Sequence, residues 1–454
     1  MKKYFNFNSM VALFAATTLF ACTQTDIEMT PLENVSEYHH TESNKTSMQI
    51  AINELNAFLQ QMGFSDVATR SERAFTIDDI ICVTNENKTR SILPEVENNV
   101  LPDTILYLVN FGDKSEQNGY AVLSANSKEG AIILTVTEKG YISQEDFLFD
   151  TEYNYKEDPE LKDFDFYNAD DDDYYVAGAM GEGNNITHQF LQKYEEGELI
   201  VGEIGGATHT TDWECDKTVA PMLTTLWHQH SPFNDACPIQ KDGEPALAGC
   251  VAVALAQIMA YHELPGGAMT FNGVACNWPD MKAVFPKNPI SGQSKYGIRS
   301  QRRQVAQFMR NIGSWCNMLY TDSFSFATPR AAQNTMKAFG YENVKRILSY
   351  EEEEIVKMLD NGNPVFMAAV SGSVNGHAWV IDGYKRQSRY LKGVKQCRYY
   401  FHCSWGWGGL CDGYYLSETF DLRKGAVEAD EDEDTVDKNF EYCWRMLTYD
   451  NPNN

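Results

Sequence analysis

A chain of 454 residues exceeds the ~250–300 at which single hydrophobic cores stop growing, so two folded units are expected. Its 43% hydrophobic, 12% aromatic and 22% charged residues describe a globular protein in which disorder is local. Lys and Arg number 37 against 64 Asp and Glu, a formal charge of −27 that repels polyanions and argues against nucleic acid as a partner. A Gly-rich phosphate loop, a dinucleotide fingerprint and a His-Glu-x-x-His metal helix are all missing from the sequence, which removes several enzyme classes.

Taken in chain order, residues 1–21 read as a signal peptide, with Lys2 and Lys3 before an apolar stretch from Met10 to Ala21 that is too short to span a bilayer. The stretch ends Leu19-Phe20-Ala21-Cys22, similar to a bacterial lipoprotein cleavage site with Cys22 as the acylated residue; the other reading is a plain secretory signal. Either implies export; the lipoprotein reading adds an outer-membrane or cell-surface location, and the plain secretory one allows release. Export would permit disulfides among the 11 cysteines, in pairings that spacing alone does not give. Residues 22–47 are polar and read as a tether.

Residues 48–150 read as a small α+β domain. Met48 to Met62 places Ile50, Ile52, Leu55, Phe58 and Leu59 at mostly helical spacing. Strands are expected over Phe75 to Val83, Ile105 to Phe111, Tyr120 to Ser124 and Ala131 to Thr137. Residues 151–212 form a connector containing Asp170 to Asp173 and ending in Gly202, Gly205 and Gly206; it lacks the calcium-loop spacing and reads as solvated. A second acidic run, Glu428 to Asp437, reads as a loop between two late strands of a unit spanning 213–454.

Four segments of that last unit carry chemistry. Cys250 opens an apolar helical run in which Val251, Ala254, Leu255, Ile258 and Met259 recur at helical spacing. Unpaired N–H groups and the macrodipole at a helix N-terminus favour a thiolate there, and Gly249 lets a substrate backbone approach. Read alone, Cys250 is also an ordinary small buried residue. His377 lies on the alternating stretch Gly376 to Tyr384, which ends in a turn, and small neighbours leave it room to act as a general base. The run Phe401-His402-Cys403-Ser404-Trp405-Gly406-Trp407-Gly408-Gly409 joins a strand to a loop able to lay an indole over a catalytic pair. Gln229 offers an amide to a developing oxyanion, although a surface glutamine has the same signature. Zinc at His228 and His230 lacks supporting Cys or carboxylate spacing, so no metal is expected.

Together these segments resemble the streptopain family of papain-like cysteine peptidases over roughly Ala220 to Gly413. The order of Gln, then Gly-Cys-Val-Ala, then Gly-His-Ala, then Trp-Gly-Trp-Gly-Gly is more specific than any one motif. The resemblance implies an α+β fold, a papain-like two-subdomain cysteine protease behind an N-terminal α+β propeptide domain. It implies Cys250 as nucleophile, His377 as base and acid, Gln229 with the Cys250 N–H as oxyanion hole, and Trp405 as the indole beside the histidine. Partners would be protein or peptide substrates and the chain's own propeptide, cleaved near the glycine-rich boundary, with no cofactor. Family members commonly carry Asn where this chain has Ser404, whose hydroxyl can accept one hydrogen bond from the imidazole. A binding or inhibitor protein that keeps the fold without full activity is the competing expectation, and a transamidase would use the same site.

Overall fold

An apolar stripe marks the first described element. In α1 (Met48–Gln61) the residues Met48, Ala51, Leu55, Phe58 and Leu59 recur at three- and four-residue steps and are buried, while Ile50, one residue off that stripe, is 49% exposed. Phe58 meets Tyr400 edge-on at 4.9 Å. The computed structural model describes residues 48–63, 77–84, 89–92, 104–111, 118–124, 132–142, 167–168, 173–174, 176–177, 213–322, 324–370, 376–391, 394–417 and 442–452. The expected leader, the tether with Cys22, most of the acidic connector and the run Glu428 to Asp437 lie outside the described residues.

Five antiparallel strands follow: β1 (Ile77–Thr84), β2 (Thr89–Ile92), β3 (Thr104–Phe111), β4 (Tyr120–Ser124) and β5 (Ile132–Thr137). Four match the alternating runs to within two residues. β2 was not foreseen, because Thr89-Arg90-Ser91-Ile92 has a single large apolar residue to mark it. The short strands β6 (Tyr167–Asn168) and β7 (Asp173–Tyr174) pair with each other, and β8 (Val176–Ala177) pairs elsewhere.

The remaining elements are β9 (Glu214–Val219), α2 (Cys250–His262), the hairpin β10 (Met269–Phe271) and β11 (Val274–Cys276), α3 (Trp278–Lys282), α4 (Arg299–Trp315), β12 (Leu319–Tyr320), β13 (Ser325–Ala327), α5 (Pro329–Ala338), β14 (Glu342–Ile347), α6 (Glu352–Asp360), β15 (Val365–Val370), β16 (Gly376–Leu391), β17 (Val394–Ser404), β18 (Gly413–Leu416) and β19 (Tyr442–Asp450). Helix α2 lies between the helices α4 and α5 on one side and the strands β15 and β16 on the other, the helix-plus-sheet division expected of a papain-like α+β protease.

One twelve-stranded sheet runs in the order β14-β19-β15-β16-β17-β18-β5-β4-β3-β1-β2, with β9 added against β16. The two segments read from sequence as separate units thus share a sheet, joined where β18 pairs with β5. The turn expected at Gly383 is instead a register shift inside a strand that continues to Leu391. There the backbone passes so close that a Cβ on Gly383 would lie 2.8 Å from the Val219 carbonyl.

At the β18–β5 seam, a Cβ on Gly413 would stand 2.3 Å from the Val136 carbonyl oxygen and 2.5 Å from Thr137 Cα. Gly413→Ala must push the strands apart, a strain of about 1–3 kcal/mol. The variant is expected to unfold at lower urea than the parent; an unchanged midpoint in a fluorescence titration would show that the seam has slack.

Candidate active site

Every residue of α2 from Cys250 to Ala260 is buried, Gln257 included, so the helix has no solvent-facing side over this stretch. Its N-cap Gly249 adopts φ 88°, and a Cβ there would meet the Met318 side chain at 2.7 Å, so both backbone and packing demand glycine. This places Cys250 at the helix N-terminus. Its sulfur receives a backbone hydrogen bond from Ala378, the residue after His377. Burial nevertheless pushes the thiol up to about 12, against the pull of that N–H and those of Val251 and Cys250 itself. Burial thus opposes the ionisation that the helix-end N–H groups favour.

His377 stands at the start of β16 and is fully buried. Its Nε2 lies 2.8 Å from the Trp405 carbonyl oxygen. A carbonyl can only accept, so Nε2 carries the proton and, in the neutral ring, Nδ1 is the basic nitrogen. Nδ1 has no hydrogen-bond partner among the described residues. Burial pulls the imidazole down to about 4, partly countered by the Trp405 carbonyl. Burial therefore disfavours the charged form of both Cys250 and His377.

Gln229 is buried, and its backbone carbonyl accepts from the Ala248 N–H at 3.0 Å, which ties it to the start of α2. His228 bridges to Trp407, linking the Gln229 segment to the Trp-Gly loop. His228 itself is wedged edge-on against Phe233 at 4.7 Å and Phe285 at 4.8 Å, and burial pulls it down to about 4. The four segments singled out in the sequence are thus linked one to the next by contacts: Gln229 to Ala248, His228 to Trp407, His377 to Trp405 and Ala378 to Cys250.

Two expectations need correction. Ser404 does not accept from His377; its hydroxyl takes a 3.5 Å hydrogen bond from Gln257 Nε2 of α2. The register explains this. Ser404 pairs with Val380, three residues from His377, so strand alternation turns Ser404 away from the face that His377 shares with Trp379, whose ring plane is within 6° of its own. The acceptor expected of a side chain is a main-chain carbonyl. Trp405 supplies that carbonyl, and its indole centroid is 6.1 Å from the imidazole; the nearer indole is that of Trp407, at 4.7 Å.

Gln257, also missed, accepts from the Trp227 N–H at 3.2 Å while donating to Ser404. Only a polar residue inside an otherwise apolar helix could have signalled it. Behind the site lies a charged cluster in which His402 Nδ1 is 2.5 Å from Asp382 and its Nε2 3.5 Å from Glu138, with Lys287 3.3 Å from Glu138. Burial opposes the charge on His402, but Asp382 and Glu138 outweigh it and hold its pKa at about 9. Among the described residues no group of three or more His, Cys, Asp or Glu is arranged to hold a metal ion. Nine described cysteines, Cys250 included, are free thiols.

A helix-terminal thiol contacted by the backbone of the strand that carries a buried, oriented imidazole is an arrangement of the cysteine-peptidase type. Residues 227–415 match the model of the Peptidase C10 family. The thiol protease/hemagglutinin PrtT of Porphyromonas gingivalis is 30% identical over 230 residues, 44% of this chain but only 25% of PrtT. Streptopain of Streptococcus pyogenes is 29% identical over 278 residues, 53% of this chain and 67% of streptopain. A solved prointerpain A fragment of Prevotella intermedia covers 76% of this chain and 94% of its own at 20% identity, with a TM-score of 0.46. Over residues 227–415 the chain is similar to the Peptidase C10 family, the streptopain family of papain-like cysteine peptidases.

The depressed pKa of His377 fixes a pH dependence. The unfolded chain takes up the proton near 6.5 and the folded chain only near 4, so stability is full above about 6.5 and is lost as pH falls towards 4. The loss is on the order of 3 kcal/mol for this group. Urea midpoints at pH 7 and 4.5, measured in the Cys250→Ala chain, are expected to differ more than in the same chain carrying His377→Gln; equal differences would place the titration elsewhere.

Proposed function

We propose that this chain is an exported cysteine endopeptidase, anchored through a lipid on Cys22 and made as a zymogen. The observation that carries the catalytic part is the imidazole fixed through Nε2 by the Trp405 carbonyl, one residue before the Ala378 backbone that contacts the Cys250 sulfur, with Nδ1 left without a partner among the described residues. In this reading Nδ1 takes the Cys250 proton as the sulfur attacks the scissile carbonyl. The Gln229 amide and the Cys250 N–H hold the oxyanion. His377, now protonated, gives its proton to the leaving amine as the C–N bond breaks. Water, deprotonated by His377, then cleaves the thioester and returns the thiol.

Two contacts support the zymogen reading. β8 of the connector pairs antiparallel with β13, Ala177 opposite Phe326, beside the Cys250 helix. The β5 end of the first segment is held by Glu138 N–H to the Asp412 carbonyl at 2.7 Å, Cys411 N–H to the Lys139 carbonyl at 3.0 Å, and the Lys287–Glu138 pair. A closed site with a neutral thiol is what an uncleaved precursor needs. Export rests on the basic-then-apolar leader and the Leu19 to Cys22 sequence.

The test is casein hydrolysis by the chain lacking residues 1–22, followed over time on gels beside Cys250→Ala. The parent is expected to shorten to a C-terminal fragment and gain activity, while the variant stays full length. If neither cuts casein after the first segment is removed, a binding protein with this fold becomes the better reading. Gln229→Ala is expected to lower kcat about 10²–10³-fold. A loss confined to KM would move Gln229 out of the oxyanion site.

A further inference from the structure

If the Trp405 carbonyl orients the base, something must orient Trp405. Its N–H donates to Asp412 Oδ1 at 2.9 Å, and its indole Nε1–H donates to the Tyr415 hydroxyl at 3.1 Å, which in turn donates to the Cys411 carbonyl at 2.7 Å. The loop between doubles back through Gly406 at φ 74° and Cys411 at φ 60°, bringing Asp412 seven residues back onto the peptide that precedes the Trp405 carbonyl. Asp412 is 4% exposed. Burying a carboxyl this deeply to satisfy one backbone N–H is costly, and among the described residues the Trp405 N–H is the one hydrogen-bond donor to its side chain. Nothing in the reaction as described uses Asp412.

We propose that Asp412 is a positioning residue for the base: its side-chain oxygen holds the Trp405 N–H, which aims the adjoining Trp405 carbonyl at His377 Nε2 and keeps Nδ1 free. This rests on the reading of His377 as the base. Asp412 acts through position and not through charge, because it does not touch the imidazole and its partner is a neutral amide. A displacement of the carbonyl by about 1 Å at such a site can cost on the order of 10²-fold in rate. The charged groups facing Asp412 are His402 of β17 and Lys287, which favour its ionised form, and Asp382 of β16, which disfavours it; Glu138 contacts its backbone. Burial pushes the carboxyl up to about 6, so near neutrality it is mainly an acceptor on both oxygens.

The geometry orders three variants. Asp412→Asn keeps an oxygen at the same reach and is expected to hold kcat within about threefold. Asp412→Glu keeps the charge but moves it by one methylene, and Asp412→Ala removes the acceptor; both are expected to lower kcat about 10–100-fold with KM within threefold. A role resting on charge or on folding predicts the reverse order, with Glu better than Asn, and that order would overturn the proposal even if the Ala variant fails to fold. The second measurement needs no turnover. Nitrogen-15 NMR of the histidine rings in the Cys250→Ala chain, with His377 assigned through His377→Gln, is expected to show the Nε2–H tautomer in the parent and the Asn variant, and a mixture in the Glu variant. Identical tautomers in all three overturn the inference. If the parent has no peptidase activity, the functional reading fails, while the tautomer comparison still decides whether Asp412 sets the ring.

Discussion

The site hangs from a helix that has no wet side along its first eleven residues. Because every side chain from Cys250 to Ala260 is enclosed between α4, α5 and the sheet, the helix can neither roll nor slide without exposing apolar surface. Its N-terminus is therefore a fixed point, and Cys250 is delivered to one place under the Ala378 N–H. The same enclosure disfavours the thiolate. Position and reactivity pull against each other here: the burial that locates the sulfur also raises its pKa to about 12.

The imidazole faces the same conflict. Buried among Trp379, Trp405 and Trp407, it is pulled down to about 4, so neither partner ionises alone in this closed arrangement. Ionisation of either group is favoured only where an opposite charge is brought close to it or its surroundings open to water. A carbonyl on Nε2 cannot donate and so permits only the tautomer whose free nitrogen is Nδ1. The unpartnered Nδ1, a cost of about 1–3 kcal/mol in a buried polar atom, is consistent with a nitrogen kept for a reacting group.

What could be read from the sequence was set by side-chain chemistry and periodicity. The helix from Cys250, the strand carrying His377 and the alternating strands of the first segment all announce themselves through apolar spacing. The acceptor for Nε2 did not, because a main-chain carbonyl belongs to every residue and leaves no trace in residue identity. Ser404 drew attention as the polar neighbour in the right order, yet its pairing with Val380 turns it towards Gln257. Which of two tryptophans lies over the ring depends on the turn at Gly406, and periodicity carries no information there. Asp412 lay outside the motif altogether, since its reach back to Trp405 appears only once the loop is closed.

The sheet joins these parts in a way that linear order conceals. β18 begins one residue after Asp412 and is also the strand on which β5 of the first segment pairs. Glu138 and Lys139, which follow β5, bond the backbone of Asp412 and Cys411, the far side of the same loop whose near side holds Trp405. His402, one face of the charged cluster with Asp382, reaches Glu138 from the neighbouring strand β17. The first segment therefore grips the half that carries Cys250 and His377 at the loop whose Trp405 carbonyl contacts His377, not at a remote surface. A shift of β5 along this edge would have to break backbone bonds to residues 411 and 412, so the seat of the first segment and the loop that contacts His377 are mechanically one structure.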